Sequence, residues 1–224
     1  MGSEEKSEQL KIHHEITLPP QEIIDLFKVT FDNELYGAEG IDELQSQIQK
    51  VKSDLYNRDY IAAFGNDAKR TAYCCRWSPS RATAYASLFA HLQECAQVIR
   101  CKESDQNVLC IGGGAGGELV ALASLFTPTR EFITKYSTSK QPTTTKNSLN
   151  VHLVDISDWS AVVNRLQSTI SGKWLYADES KYFKVHSSNR DILTMSEDDL
   201  SLSNLDLITL LFTTNELFSE NKQQ

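Results

Sequence analysis

Long apolar runs are missing from this sequence. None approaches the roughly 18 residues that a membrane-spanning helix needs, and the segment Met1 to Lys6 contains no apolar signal core. We therefore expect a soluble, intracellular protein with no membrane partner. Its 224 residues are enough for one sizeable core, or for one domain with an appendage.

Cysteine is scarce and is not arranged for disulfides or zinc. The five cysteines are odd in number and include no C-x-x-C pair, the spacing on which structural zinc sites commonly depend. We expect ordinary thiols and no metal site. Residues 1–16 form a polar segment that we interpret as a disordered tail, and His13 and His14 are assigned to it rather than to a metal.

An excess of positive charge is also missing. The 22 lysines and arginines and 30 acidic residues give a net charge of -8, which argues against general coating of a polyanion but permits a local basic patch. One such patch, the basic island from Arg58 to Arg81, has a net charge of +3 and carries interleaved aromatic residues. That pattern suits base stacking and phosphate contact, but a solvated, partly packed connection would have the same composition.

Helical patterns precede the most informative part of the chain. Pro20 opens an amphipathic helix, and apolar residues recur at helical spacing between Ile41 and Leu55. Ser78 and Pro79 predict an N-cap and first turn for a further helix that reaches about Ile99. We interpret residues 17–100 as a helical extension.

A glycine-rich loop follows a short apolar strand. Val108 to Ile111 is typical of a buried parallel strand, and the glycines from Gly112 to Gly117 lead into an apolar helix. Such a turn brings backbone N–H groups close to a ligand. The spacing fits both the loop of S-adenosylmethionine (SAM) methyltransferases and the dinucleotide fingerprint, and glycines alone do not choose between them. A glycine-rich loop without a ligand is the third reading.

Acidic residues follow the next two predicted strands. Residues 151–154 form a strand that ends at Asp155, where a carboxylate accepts hydrogen bonds from both hydroxyls of a ribose; capping of the helix that follows is the alternative. Asp191 comes after the third strand, where it meets an adenine amino group or serves a turn. The polar stretch 127–150 is expected to be a surface insertion, and the apolar run 205–212 to be a strand buried on both faces.

These residues carry a family resemblance. The order of glycine loop and acidic strand ends resembles the class I SAM-dependent methyltransferases. More narrowly, four segments together resemble the fungal enzymes that methylate N3 of uridine in large-subunit ribosomal RNA, and the resemblance covers about residues 20–218. The four segments are Arg76 to Arg81, Val108 to Glu118, Val154 to Trp159 and Phe212 to Phe218.

The resemblance implies an α/β fold with a Rossmann-like methyltransferase sheet of about four strands, incomplete and preceded by the helical extension, with residues 101–224 as the SAM-binding domain. It also implies roles for particular residues: SAM held by the glycine loop, the ribose by Asp155, the adenine bordered by Ile156 and Asp191, catalysis by Asn215 and Glu216, and RNA contact by Arg76 and Arg81. The glycines of the loop are Gly112, Gly113, Gly114 and Gly116.

The implied partner is ribosomal RNA or a pre-ribosomal particle, which places the protein in the cytoplasm, the nucleus or the nucleolus. Two departures from the class pattern stand out. Cys110 occupies a position that is often acidic, so the contact to the methionine end of SAM comes from elsewhere, with Arg81 or a backbone group as the candidates. The sheet also stops after a fourth strand where the class has about seven, so we expect this chain to be the N-terminal part of a longer enzyme and inactive by itself.

Two other functions remain open from the sequence. Gly117 completes a dinucleotide fingerprint, which is typical of an NAD-dependent oxidoreductase. A non-catalytic module that binds SAM or RNA would retain the fold and lack the chemistry.

Overall fold

The computed structural model describes residues 13–38, 40–130, 146–176 and 179–213. Its centre is a four-stranded sheet in the order β3-β2-β1-β4, and every neighbouring pair is parallel. This order and the helices around it confirm the predicted α/β, Rossmann-like class. The strands are β1 (Gln106–Ile111), β2 (Leu149–Asp155), β3 (Phe183–Asn189) and β4 (Leu207–Thr209).

Helices fill the chain before the sheet. Proline at the first position of α1 needs no hydrogen-bond partner for its missing N–H, and the buried positions Ile23, Leu26 and Phe27 recur at helical spacing. These helices are α1 (Pro20–Thr30), α2 (Asp32–Tyr36), α3 (Gly40–Tyr56), α4 (Tyr60–Ala63), α5 (Asp67–His91) and α6 (Gln93–Arg100).

The helix predicted to begin at Pro79 begins twelve residues earlier. Helix α5 starts behind Asn66, whose side chain accepts from Lys69 N, and it contains Pro79 in its interior. Ser78 is not an N-cap: it is buried, and its hydroxyl donates to the backbone carbonyl of Ala115 (2.6 Å). The sequence prediction was wrong here because a tertiary hydrogen bond satisfies the serine that would otherwise cap a helix.

Helix α7 (Gly117–Phe126) is buried along its whole length, as its apolar sequence requires. It packs against α5, so the helical extension and the sheet share one hydrophobic core that includes Phe27, Phe89, Leu119 and Val151. Beyond β2 the chain forms α8 (Ser160–Thr169) and α9 (Glu197–Leu200), with short 3-10 turns between them. No helix in these described ranges is both long and apolar enough to cross a bilayer.

The face of the sheet that points away from the main hydrophobic core is covered less fully than the face that packs against it. A small cluster of Leu109, Val154 and Leu200 packs there. Strand β4 pairs with β1 and has only three residues, and Ile208 within it is 50% exposed. The prediction of a long strand at 205–212 buried on both faces was therefore wrong, because an apolar run at the edge of a sheet resembles an interior strand in sequence alone.

The predicted surface insertion at 127–150 is anchored in the core at both ends. Residues 131–145 lie outside the described ranges, but Thr127, Arg130 and Ser148 are buried. Arg130 is fully buried, pairs with Glu179 (2.9 Å) and donates to the carbonyl of Asn147 (3.4 Å). Its guanidinium also lies over the rings of Phe126 and Tyr182. The ends of this stretch therefore belong to the core rather than to the surface.

Candidate functional site

A cavity of about 430 Å³ opens at the carboxyl ends of β1 and β2. Strand β1 pairs with β2 on one side and with β4 on the other, so the direction of strand succession reverses at β1. Ligands of open α/β sheets bind at such a switch point, and the volume lies within the usual range for small-molecule sites. The cavity is therefore the candidate functional site.

One side of the cavity, the sheet wall, is formed by residues at the strand ends: Ile111, Gly112, Val154, Asp155 and Ile156. Gly112 has a φ of +71°, a backbone conformation that favours glycine. A Cβ at this position would also lie 2.2 Å from the hydroxyl oxygen of Thr213. The glycine thus lets the segment that follows β4 close against the end of β1.

Asp155 is held by backbone donors at the tip of β2. Its Oδ2 accepts from Gly114 N (3.2 Å) and its Oδ1 from Ser157 N (3.0 Å). Burial raises the pKa of this carboxyl, and the two backbone hydrogen bonds oppose that shift. Each oxygen retains a further lone pair for a ligand. Asp155 does not cap α8, because Asp158 accepts from Ser160 N there instead.

The other predicted glycines pack against protein side chains and do not line the cavity. A Cβ on Gly114 would lie 2.1 Å from the Trp159 ring, and one on Gly116 would lie 2.2 Å from Leu166. Gly113 lies between Cys110 and Glu118. Among the four predicted glycines, only Gly112 lines the cavity; the other three are required by packing within the protein.

The turn after β3 forms another part of the cavity, where Arg190, Asp191 and Ile192 line it. Asp191 Oδ1 accepts from Leu193 N (2.9 Å), which fixes a 3-10 turn. The turn role considered for Asp191 is therefore present, and the same residue lies beside the cavity. Arg190 forms an ion pair with Asp199 (3.2 Å).

The side opposite the strands, the helical wall, comes from the helical extension: Tyr60, Ile61, Phe64, Tyr73 and Arg81. The sequence flagged these aromatic residues for RNA stacking, but it gave no sign that they face the cofactor loop. Tyr73 and Arg81 lie on α5, which packs against α7 and is joined to Ala115 by the Ser78 hydrogen bond. The functional wall that sequence reasoning missed is thus the part of the basic island that turns inward.

Two cations of the basic island hold the helical wall in place. Lys69 Nζ donates to the carbonyl of Ala62 (2.8 Å) and to Asp54 (2.7 Å). Arg70 donates to the carbonyl of Phe64 and pairs with Asp67. Because both contacts satisfy carbonyls at the end of α4, these cations serve the fold, as the solvated-connection interpretation of the island partly anticipated.

Arg76 and Arg81, predicted together as RNA contacts, lie on different surfaces. Five residues along an α-helix correspond to about 140° around its axis. Arg76 is exposed, and its guanidinium lies 5.7 Å from the Trp77 ring centroid. Arg81 lines the cavity, hydrogen-bonds to the hydroxyl of Tyr73 and lies over the rings of Tyr73 and Phe212.

Glu118 is a buried acid that the sequence analysis did not single out. Its Oε1 accepts from the Thr209 hydroxyl (2.7 Å), and burial raises its pKa to about 7. It lies beside Gly113 and Cys110, and burial holds the pKa of the Cys110 thiol well above its usual value. An acid is thus present next to the glycine loop, although it comes from α7 rather than from β1.

Trp159 joins the two walls. Its ring packs 5.3 Å from Phe64 and 5.9 Å from Tyr73, measured between centroids. Its Nε1 is buried and makes no hydrogen bond within the described residues, although it lies near enough to Asp155 to oppose the rise in that carboxyl's pKa. The indole N–H of Trp159 thus faces the Asp155 carboxyl.

Asn215 and Glu216 lie outside the described residues. The chain reaches them directly from Leu211, Phe212 and Thr213, which line the cavity. Across the part of the chain that the structure describes, no group of three or more histidine, cysteine, aspartate or glutamate residues could hold a metal ion.

The donor set suits a nucleoside that carries a charged group. Asp155 offers free acceptor lone pairs to a sugar diol, while Ile156 and Ile192 provide apolar surface for a base. Arg81 supplies a positive charge elsewhere in the same cavity. Fold and site together define a nucleoside-binding α/β protein.

Comparison with known proteins identifies the family. The chain belongs to the family described as "Putative SAM-dependent methyltransferase", whose profile matches residues 27–224. It is also similar to the "25S rRNA (uridine(2843)-N(3))-methyltransferase" of Saccharomyces cerevisiae, with 58% identity over 229 residues. The match covers 97% of this chain and 63% of the length of that relative. No solved structure gives a significant match. The resemblance stated from the sequence is confirmed.

Proposed function

We propose that this chain binds SAM in the cavity and belongs to an enzyme that methylates N3 of a uridine in large-subunit ribosomal RNA. The observation that supports it most directly is Asp155, held at the tip of β2 with a free lone pair on each oxygen. The similarity to the yeast enzyme supports the choice of RNA and of N3.

The cavity residues bind and orient the cofactor in this proposal. Asp155 accepts hydrogen bonds from the ribose hydroxyls, and Ile156 and Asp191 border the adenine. Of the loop glycines, Gly112 lines the cavity and presents its backbone to the amino-acid end, whereas Gly113, Gly114 and Gly116, also predicted to hold SAM, shape the loop by packing against protein side chains. When bound, SAM supplies a methyl group already activated on a sulfonium, so the protein's task is alignment and removal of a proton.

Catalysis is assigned to the segment that follows β4. We propose that Asn215 orients the uracil edge and that Glu216 accepts the proton from N3. Thr213, two residues before Asn215, hydrogen-bonds to the carbonyl of Ile111 at the end of β1 and lines the cavity; this supports the assignment. Glu216→Gln is expected to abolish methyl transfer and to leave SAM affinity unchanged.

RNA contact is assigned to the outward part of the basic island. Arg76 is exposed and its guanidinium lies over Trp77, a combination that suits a phosphate beside a stacked base. Arg81 was predicted as a second RNA contact, and its place in the cavity makes this the weaker assignment. A ribosomal RNA or pre-ribosomal particle as substrate places the protein in the nucleolus, the nucleus or the cytoplasm.

Calorimetric titration with SAM and with NAD tests the cofactor assignment. We expect binding of SAM and of its product S-adenosylhomocysteine, no binding of NAD, and loss of SAM affinity in Asp155→Ala. Binding of NAD in preference to SAM would support the oxidoreductase alternative. SAM binding without methylation of a ribosomal RNA fragment by the full-length enzyme would support a non-catalytic module.

A further inference from the structure

Arg81 is fixed in the cavity by aromatic contacts rather than by an acid. Its guanidinium carbon lies 5.3 Å from the Tyr73 ring centroid and 5.0 Å from that of Phe212, and the guanidinium also hydrogen-bonds to the Tyr73 hydroxyl. Within the described residues no carboxylate lies at ion-pair distance from it, whereas Arg190, the other arginine of the cavity, is paired with Asp199. Most of the five N–H donors of Arg81 are therefore free for a ligand.

The position of Arg81 places this charge next to the glycine loop. A Cβ on Gly117 would lie 3.5 Å from the Cβ of Arg81, so the arginine stands beside the first turn of α7. The unpaired N–H groups of that turn carry partial positive charge. The guanidinium and this turn favour an anionic group at the same end of the cavity.

Phe212 adds an independent indication of a ligand. Its φ is +61° and the residue is 73% exposed, so a large apolar residue is held in a disfavoured backbone conformation with little burial. Such outliers cluster where the chain clamps a ligand. Its ring lies against the guanidinium of Arg81, and both residues line the cavity.

We propose that Arg81 binds the carboxylate at the amino-acid end of the cofactor and thereby selects the complete cofactor over its nucleoside part. The proposal rests on the proposed function, because it takes SAM as the ligand. It assigns Arg81 to the cofactor rather than to RNA phosphate, although both ligands would present an anion. A planar guanidinium pairs with a carboxylate through two parallel hydrogen bonds, which lysine cannot reproduce.

The test compares two ligands that differ at that end only. S-adenosylhomocysteine contains the amino acid, and 5'-deoxy-5'-methylthioadenosine is the same thionucleoside without it. We expect Arg81→Gln to lower the affinity for S-adenosylhomocysteine by about 10- to 100-fold, the range for a charge-assisted hydrogen bond. The affinity for methylthioadenosine should fall by less than about twofold. Arg81→Lys should fall between wild type and Arg81→Gln for S-adenosylhomocysteine. Arg76→Gln, on the same helix, is the matched control and should change neither affinity.

Each other outcome overturns the inference in a recognisable way. Equal weakening of both ligands in Arg81→Gln would mean that the arginine supports the cavity as a whole. Unchanged affinity for both ligands, with weaker and less salt-dependent RNA binding, would identify Arg81 as a phosphate contact. If the wild-type chain binds neither ligand, the proposed function itself fails. Circular dichroism and thermal melting of Arg81→Lys and Arg81→Gln would show whether either variant is misfolded.

Discussion

The sheet wall and the helical wall of the cavity differ in what holds them. Asp155 and Gly112 in the sheet wall are fixed by backbone hydrogen bonds and by close packing against Thr213. The helical wall is fixed by side-chain cations, with Lys69 and Arg70 on the carbonyls at the end of α4. Its outermost residue, Ile61, is 83% exposed.

This difference predicts which variants change the stability of the protein and which change its affinity for the ligand. Apart from Asp155, which offers acceptors to the ligand, changes in and behind the sheet wall disturb buried packing, so we expect them to lower the free energy of unfolding. Changes in the helical wall act on partly exposed contacts, which contribute less to stability, so we expect them to act mainly on ligand affinity. Four further variants, taken from the largest expected effect to the smallest, test this separation.

Gly114→Ala should destabilise the protein by about 3 kcal/mol, near the upper end of the usual cost of overpacking. The added Cβ would lie 2.1 Å from the Trp159 ring, which cannot move without disturbing Phe64 and Tyr73. Gly172→Ala is the control, because nothing lies within 4 Å of a Cβ there. Urea unfolding of both variants gives the difference, and equal stabilities would show that the loop tolerates a side chain.

Asp155→Ala should weaken S-adenosylhomocysteine by about 1.5 to 3 kcal/mol, the range for hydrogen bonds to a charged group. The variant also leaves Gly114 N and Ser157 N without their acceptor, so a smaller loss of stability is expected. Asp155→Asn retains an acceptor, so its affinity for S-adenosylhomocysteine should fall between those of wild type and Asp155→Ala. Normal affinity together with early melting would restrict Asp155 to a structural role.

Glu118→Gln should change the pH dependence of stability. The pKa of Glu118 is raised from 4.5 to about 7 in the folded protein, so the unfolded chain ionises first and this group lowers stability as the pH rises from about 4.5 to 7. Glutamine retains an acceptor for Thr209. The difference in free energy of unfolding between Glu118→Gln and wild type should therefore shift in favour of the variant, by on the order of 1 to 3 kcal/mol, between pH 4.5 and pH 8.

Denaturation curves at several pH values between 4.5 and 8 provide this measurement. A constant difference between Glu118→Gln and wild type at every pH would contradict the raised pKa.

Lys69→Met should have the smallest effect, a loss of about 0.5 to 1 kcal/mol in stability for a partly exposed ion pair. Because the same lysine holds the end of α4, we expect a two- to fivefold loss of S-adenosylhomocysteine affinity. Lys28→Met breaks an exposed pair with Asp25 on α1 and should affect neither quantity. A large loss of stability in Lys69→Met would remove the distinction between the walls.

The sheet was predictable because its signals are local. A strand that runs into glycines, and an acid at the tip of the next strand, are determined by neighbouring residues, so β1, α7 and the position of Asp155 follow from the sequence. By contrast, the edge strand β4 was predicted too long, because an apolar run does not indicate whether a strand has neighbouring strands on one side or on both.

The helical wall was not predictable because its contacts are distant in sequence. Ser78 hydrogen-bonds to Ala115, 37 residues away, and this contact, together with the packing of α5 against α7, places Tyr73 and Arg81 beside the loop. The aromatic residues were noticed, but their composition alone fits RNA stacking as well as a cavity wall. Likewise, Gly114 was assigned to the ligand because nothing in the sequence shows that Trp159 occupies the space beside it.

Arg130 has a consequence for the two ends of this stretch. From a fully buried position it donates to the carbonyl of Asn147 and pairs with Glu179, so one side chain links the described residues on both sides of residues 131–145. Removing one partner of a buried ion pair is costly. Replacing Arg130 would therefore loosen residues 127–130 and 146–148 together, while the contacts within both cavity walls stay as they are.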